Sequence, residues 1–348
     1  MKAAILGTSG YAGLELLRLL ADHSRIKDII AVSSSQAGVS VTDLDPGLRG
    51  DRDVEGKTLI TGGKLATVER AAELEPDVVF SALPHLKSAE LCEPFFGTAV
   101  IIDLSADFRI SQVDAFAHAY GQNPPRPDLL DSAVYGLTEW ARDALVGADI
   151  IANPGCYPTC TTLPLIPLLR DGIVRPSFWT TSLSGISGAG RSAKTNLLFT
   201  ERSENTHAYA PGHRHRHVTE MQQNLRRYGN ADSELFFIPH LVPIRRGMFT
   251  TTRVELVEGA EGADIAASLE RAYAHEPFIG ITGERIPETR HVRGSNRCDI
   301  GWHFEERQAA IFSTLDNLTK GASGQAVQNM NVRFGFDEHD GLVSRGSF

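Results

Sequence analysis

The sequence predicts an α/β protein in two parts: a parallel-sheet domain first, then an α+β domain built on a mixed or antiparallel sheet. Three observations carry this. The glycine-rich stretch Gly7-Thr8-Ser9-Gly10-Tyr11-Ala12-Gly13 lies between the apolar run Ala3-Ala4-Ile5-Leu6 and a set of leucines (14, 16, 17, 19, 20) at helical spacing, which reads as strand, turn and helix. Near-continuous apolar runs recur at 29–32, 78–83, 100–105 and 150–152, as expected of strands covered on both faces of a parallel sheet. After residue 156 the pattern lengthens and half-alternates at 179–184, 235–238, 249–257, 298–304 and 309–315, with a helix near 263–274. Such strands suit a sheet with one exposed face.

A chain of 348 residues, 42% hydrophobic and 22% charged, has material for two ordinary cores. Its net charge of -9 argues against a nucleic-acid surface. Four cysteines without a paired framework read as free thiols in a reducing compartment. The first residues enter a strand directly, with no signal segment, and no apolar run approaches the roughly 20 residues of a membrane span. A cytoplasmic protein with no membrane partner is expected.

Taken in order, the first turn has the spacing G-x-x-G-x-x-G, a variant of the dinucleotide fingerprint of Rossmann-type domains. Its glycines permit a tight turn, close approach of backbone to a pyrophosphate, and close helix packing. The helix N–H groups and the hydroxyls of Thr8 and Ser9 are expected to hold the phosphates. After the second strand, where an NAD-preferring fold places a carboxylate on the ribose, the chain reads Ser33-Ser34-Ser35-Gln36. With no carboxylate to repel a 2′-phosphate, NADP is favoured. Arg49, the nearest following cation, is too far along the chain to assign. Leu83-Pro84-His85, Ser105-Ala106-Asp107-Phe108-Arg109 and Asn153-Pro154-Gly155-Cys156 fall at the carboxyl ends of strands, where such sheets bind ligands, and Arg109 is a candidate anion ligand.

Cys156 follows a strand and a tight turn and opens a helix. Unpaired N–H groups and the positive end of the helix dipole favour thiolate there. Pro158 suits the first helical turn, but Pro164 and Pro167 predict a short or kinked helix. Cys160 reads as core. The loop Ser184-Gly185-Ile186-Ser187-Gly188-Ala189-Gly190-Arg191 suits cradling an anionic or acyl substrate by backbone N–H groups. His213-Arg214-His215-Arg216-His217 suits phosphate recognition and proton transfer, while its arginines would repel a divalent cation, so no metal is expected. Residues 316–331 read as a loop and a helix of small residues that returns to the first domain.

Together these stretches, with Pro239-His240-Leu241-Val242-Pro243, resemble the N-acetyl-gamma-glutamyl-phosphate reductase family, relatives of aspartate-semialdehyde dehydrogenase, over essentially the whole chain. The resemblance implies an NADP domain over 1–155, a catalytic and oligomerisation domain over 156–315, and a closing segment over 316–348. It implies Cys156 as acyl-accepting nucleophile and His217 as acid/base, with His215 the second match. Substrate contacts would come from Arg109, Ser187, Gly188, His215 and Arg216, and Asn317 would face the cofactor. The expected reaction reduces an acyl phosphate through a cysteine thioester in a homo-oligomer, dimer or tetramer. This chain departs from the family at Val218-Thr219-Glu220-Met221, where Thr-Pro-Glu-Ile is usual, and at Gln36, where a basic residue is common. Two other readings are a reductase of carrier-bound aminoadipyl phosphate, whose partner would be an acidic carrier protein, and a catalytically silent NADP-binding regulator.

Overall fold

The computed structural model describes residues 1–48, 58–59 and 63–347, so Arg49 lies outside the described residues. The chain divides into two compact units. One comprises Met1–Ala117, Gln122–Pro154 and Ala322–Leu342; the other comprises His118–Gly121, Gly155–Gly321 and Val343–Phe348. Residues 316–321 and 343–347 thus belong with the second unit and not, as the sequence reading had it, with the first. The reason is local bonding: Gly294 N–H donates to Asp316 Oδ2 (2.7 Å), Asn296 N–H to the Val343 carbonyl (2.8 Å), and Ser347 N–H to the Arg293 carbonyl (2.8 Å).

The first unit is a parallel sheet of β1 (Lys2–Leu6), β2 (Asp28–Val32), β3 (Thr58–Leu59), β4 (Val78–Ser81), β5 (Val100–Asp103), β6 (Ala133–Tyr135) and β7 (Ile150–Ala152), in the order β3-β2-β1-β4-β5-β7-β6. Every pairing is parallel. Strands β4, β5 and β7 are buried at every position, which is why they read as continuous apolar runs and not as alternating ones. Leu6, Val32, Val79, Ile101 and Ala152 form part of one core on this sheet.

The helix Gly324–Phe334 completes this unit, and its buried residues include four amides, Gln325, Gln328, Asn329 and Asn331, beside Ala326, Val327 and Met330. Gln325 Nε2 donates to the Gly136 carbonyl (3.1 Å), and Asn329 Nδ2 donates to the same carbonyl (2.8 Å) and to Asn153 Oδ1 (3.0 Å). Thr138 Oγ1 donates to Asn329 Oδ1 (2.7 Å). These groups are fully buried, and their mutual hydrogen bonds offset most of the cost of burying them, although the Gln325 amide oxygen is itself buried without a partner.

The second unit contains β8 (Ser177–Gly185), β9 (His207–Ala208), β10 (Glu234–Val242), β11 (Met248–Glu255), β12 (Ile279–Gly283), β13 (Cys298–Glu305) and β14 (Gln308–Leu315), in the order β12-β13-β14-β11-β8-β10-β9. The sheet is mixed: β8 and β10 are parallel, as are β12 and β13, and the other neighbours are antiparallel. Alternate residues of β8, β10 and β11 are buried, which gives the half-alternating pattern of the sequence.

The helix that Cys156 opens runs over all of Cys156–Arg170, so Pro164 and Pro167 do not shorten it. Each proline lacks the N–H that would bond the carbonyl four residues back. Both carbonyls have other donors. Ser313 Oγ on β14 donates to the Cys160 carbonyl (2.6 Å), and the Tyr273 hydroxyl donates to the Leu163 carbonyl (2.6 Å). Two buried hydroxyls from distant parts of the chain thus stand in for the missing backbone donors.

Candidate active site

In the first unit, the turn after β1 is dictated by its glycines. Gly7 has φ +82°, and a Cβ there would lie 2.6 Å from the Ala82 carbonyl oxygen; a Cβ at Gly13 would collide with the Gly7 carbonyl. The helix Tyr11–Ala21 therefore starts tight against the turn, and the N–H groups of Tyr11, Ala12 and Gly13 in its first turn have no intrahelical acceptor. A Cβ at Gly10 would meet only the Gly7 oxygen, at 3.5 Å, which leaves room for a pyrophosphate to approach. The backbone thus fits a dinucleotide. Thr8 has a different part from the one expected: it is fully buried, its Oγ1 donates to the Ile5 carbonyl (2.8 Å) and accepts from Val32 N–H (3.0 Å), so its hydroxyl ties the turn to the sheet and is not available to phosphate. Ser33 is buried, whereas Ser34, Ser35 and Gln36 are exposed.

Arg109 is also buried. Its Nε donates to the Asn153 carbonyl and its Nη2 to the Leu104 carbonyl, both at 2.7 Å, so it fastens the loop after β5 to the turn that precedes the thiol. Asp107 holds the neighbouring loop by accepting from the N–H groups of Leu86 (2.6 Å) and Ala89 (3.0 Å).

The second unit gathers the thiol and the histidines. Cys156 is the first residue of its helix, partly accessible, with Gly155 as N-cap. Cys160 is a fully buried free thiol, and burial pushes its pKa up to about 11, which fits the core assignment. A Cβ at Gly321 would lie 2.7 Å from the Cβ of Cys156, so the segment after Asn317 closes on the thiol residue itself.

Beside Cys156, the Tyr157 ring is met edge-on by His215 (5.3 Å), His217 (6.0 Å) and Phe237 (5.2 Å). His215 and His217 are 4.9 Å apart, and His217 N–H donates to His215 Nδ1 (3.2 Å). Burial, and then the charge of Arg216, hold the His215 pKa down at about 4, so its ring is neutral at pH 7. The Tyr157 and Tyr209 hydroxyls share a hydrogen bond (2.9 Å); burial raises both pKa values, that of Tyr209 to about 12, so both remain phenols. Arg216 is exposed and stacks over Tyr120 at 5.1 Å.

The loop 184–191 differs from the expected cradle. The N–H groups of Gly185, Ile186, Ser187 and Gly190 are bonded to the carbonyls of Gly247, Ile244, Arg245 and Ser187, so these donors build the loop and cannot bind an anion. Ser187 is buried and its Oγ accepts from Asn317 Nδ2 (2.9 Å), while Gly188 is exposed. The Asn317 amide oxygen accepts from Gly247 N–H (2.8 Å), so both ends of this side chain are engaged within the second unit. Arg246 is neutralised by the buried Asp316 at 2.7 Å.

Glu220 was missed in the sequence. It is buried one helical turn after His217, and its Oε1 accepts the Gly155 N–H (2.9 Å), linking the histidine helix to the cap of the thiol helix. The signal was present: Glu220 is the one residue of Val218-Thr219-Glu220-Met221 that keeps the family's Thr-Pro-Glu-Ile.

Comparison with known proteins gives this arrangement its relatives. Residues 2–148 match the NAD binding domain of semialdehyde dehydrogenases, and residues 156–317 match their dimerisation domain. The chain is 44% identical to N-acetyl-gamma-glutamyl-phosphate reductase of Pseudomonas fluorescens (strain Pf0-1), covering 99% of each chain. The chain belongs to the N-acetyl-gamma-glutamyl-phosphate reductase family. A second member, from Cellvibrio japonicus (strain Ueda107), is 43% identical over 98% of each chain. The fold of this family member is shared with aspartate semialdehyde dehydrogenase II of Vibrio cholerae (TM-score 0.72, 17% identity, 96% of this chain and 98% of that one) and with the Candida albicans aspartate semialdehyde dehydrogenase (TM-score 0.63, 16% identity, 95% and 97%).

Proposed function

We infer that this protein reduces N-acetyl-L-glutamyl 5-phosphate to N-acetyl-L-glutamate 5-semialdehyde with NADPH, releasing phosphate, as a step of arginine biosynthesis. The observation that carries the chemistry is a partly accessible thiol at a helix N-terminus, followed by Tyr157, whose ring meets two histidines, one of them neutral at pH 7. The names of the full-length relatives support the free N-acetylglutamyl substrate over a carrier-bound one.

In this reading Cys156 Sγ, deprotonated with help from His217, attacks the acyl carbonyl. The carbon–oxygen bond to phosphate breaks, phosphate leaves, and a thioester remains. Bound NADPH supplies the hydride that this thioester accepts and a carboxylate would not. His217 manages the proton on the tetrahedral oxygen, and collapse of the hemithioacetal releases aldehyde and thiol. His215, neutral and packed on Tyr157, helps to place the substrate, and Arg216 attracts its phosphate. Arg109 acts through the Asn153 turn. The Tyr11, Ala12 and Gly13 N–H groups hold the dinucleotide phosphates, and residues 33–36 face the ribose.

The second sheet also exposes a pair of aromatic rings in contact, Trp179 and Phe236, with centroids 4.6 Å apart and 53% and 46% exposure. A second copy covering this face accounts for it, in keeping with the dimerisation-domain match. No described helix is long and apolar enough to cross a membrane, and the cytoplasm is the compartment that fits a reduced thiol. The deciding assay runs the reaction backwards: NADP reduction with N-acetylglutamate 5-semialdehyde should require inorganic phosphate. Reduction that proceeds equally well without phosphate would reject this function.

A further inference from the structure

Residues 33–40, which follow β2, carry no charged side chain. Hydroxyls and N–H groups there do not repel a 2′-phosphate, yet a doubly charged group is recognised best by a cation, and in NADP-binding folds a basic residue near this loop supplies it. The fold brings one from outside the loop. Val41 N–H donates to the Gly63 carbonyl (2.8 Å), Gly38 N–H to the Leu65 carbonyl (2.8 Å), Leu65 N–H to the Val39 carbonyl (2.9 Å) and Ser33 N–H to the Ala66 carbonyl (3.1 Å). Ser40 and Lys64 form an antiparallel bridge, and Val32 and Ala66 a parallel one.

The loop is therefore pinned at both ends to residues 63–66. Leu65 and Ala66 are buried beneath it, whereas Lys64 is exposed. We propose that Lys64 is the cation that recognises the 2′-phosphate of NADPH and sets the preference for NADPH over NADH. This rests on the NADP reading above. It also explains how the chain manages with Gln36 where its family commonly has a basic residue.

The test is nucleotide binding to the full chain, followed by calorimetry or cofactor fluorescence. Lys64→Gln should weaken NADPH by about tenfold, the scale of one charge-assisted contact, and NADH by less than about twofold. Lys64→Arg should keep the preference, and added salt should narrow the NADPH-to-NADH ratio of the unaltered protein more than that of Lys64→Gln. An unchanged preference in Lys64→Gln, or equal loss for both nucleotides, overturns the proposal while leaving the reductase intact. Equal binding of NADH and NADPH by the unaltered protein would instead reject the cofactor reading on which it stands.

Discussion

Replacing Ser313 should destabilise the protein only as long as Pro164 is present. In an unbroken helix the N–H of residue 164 would bond the carbonyl of residue 160; Pro164 has none, and Ser313 Oγ bonds that carbonyl at 2.6 Å in a fully buried setting. Ser313→Ala leaves a buried carbonyl without this donor, a cost of about 1–3 kcal/mol. In a Pro164→Ala background the restored N–H reaches the same carbonyl, and the second substitution should cost little. The expected coupling is therefore about 1–2 kcal/mol, well above the roughly 0.3–0.5 kcal/mol scatter of independent sites. Guanidinium unfolding of the four proteins, at constant slope, measures it. Hydrogen exchange of peptides within 156–170 should place the loss in this helix. Additive costs would refute the claim that hydroxyls replace the proline donors. Tyr273→Phe against Pro167→Ala repeats the test at the Leu163 carbonyl.

Cys156→Ser should abolish reduction while NADPH binding, titrated directly, stays within about twofold; more than a few per cent residual activity would reject the thioester route. His217→Asn should lower kcat by about 10²–10⁴, whereas His215→Asn should chiefly raise KM for the acyl phosphate, and a reversed pattern would exchange their parts. Because the His215 pKa is lowered to about 4, this ring gains a proton only as pH falls through that value. The acid limb of kcat/KM above about pH 5 should then be the same in His215→Asn, and a limb that moves would show that His215 titrates higher. Trp179→Glu should lower the mass seen by sedimentation, and an unchanged mass would exclude this face as the contact between copies.

What the sequence made legible was local. The Gly7–Gly13 turn, the thiol after Asn153-Pro154-Gly155 and the strand periods all follow from residues adjacent in the chain, and the structure has them where expected. What it concealed depends on partners far away. Nothing near Pro164 or Pro167 announces Ser313 or Tyr273, so the prolines alone predict a short or kinked helix. The loop 184–191 has the composition of an anion cradle, but the N–H groups of Gly185, Ile186 and Ser187 are claimed by residues 244–247, a pairing no local pattern reveals. Thr8 looked like a phosphate ligand because a turn hydroxyl often is one; its burial against Ile5 and Val32 decided otherwise. The parallel pairing of β8 with β10 was likewise hidden, since alternation fixes which side of a strand is buried and not which strand lies beside it.

The amide seam of the helix Gly324–Phe334 bears on how the protein comes to be folded. Gly155–Gly321 is nearly all of the second unit and is made before residue 322 leaves the ribosome, so that unit can collapse early. The first unit must wait, with the Gly136 carbonyl and the Asn153 side chain lacking their Asn329 partner until the final helix docks. A surface of that kind attracts water more than it attracts other hydrophobic chains. An apolar seam left open for the same interval would have been a sticky one. Buried amides at this joint thus make the seam more polar while a nucleotide-binding domain that lacks only residues 322–342 stands unfinished during synthesis, which lowers its tendency to aggregate.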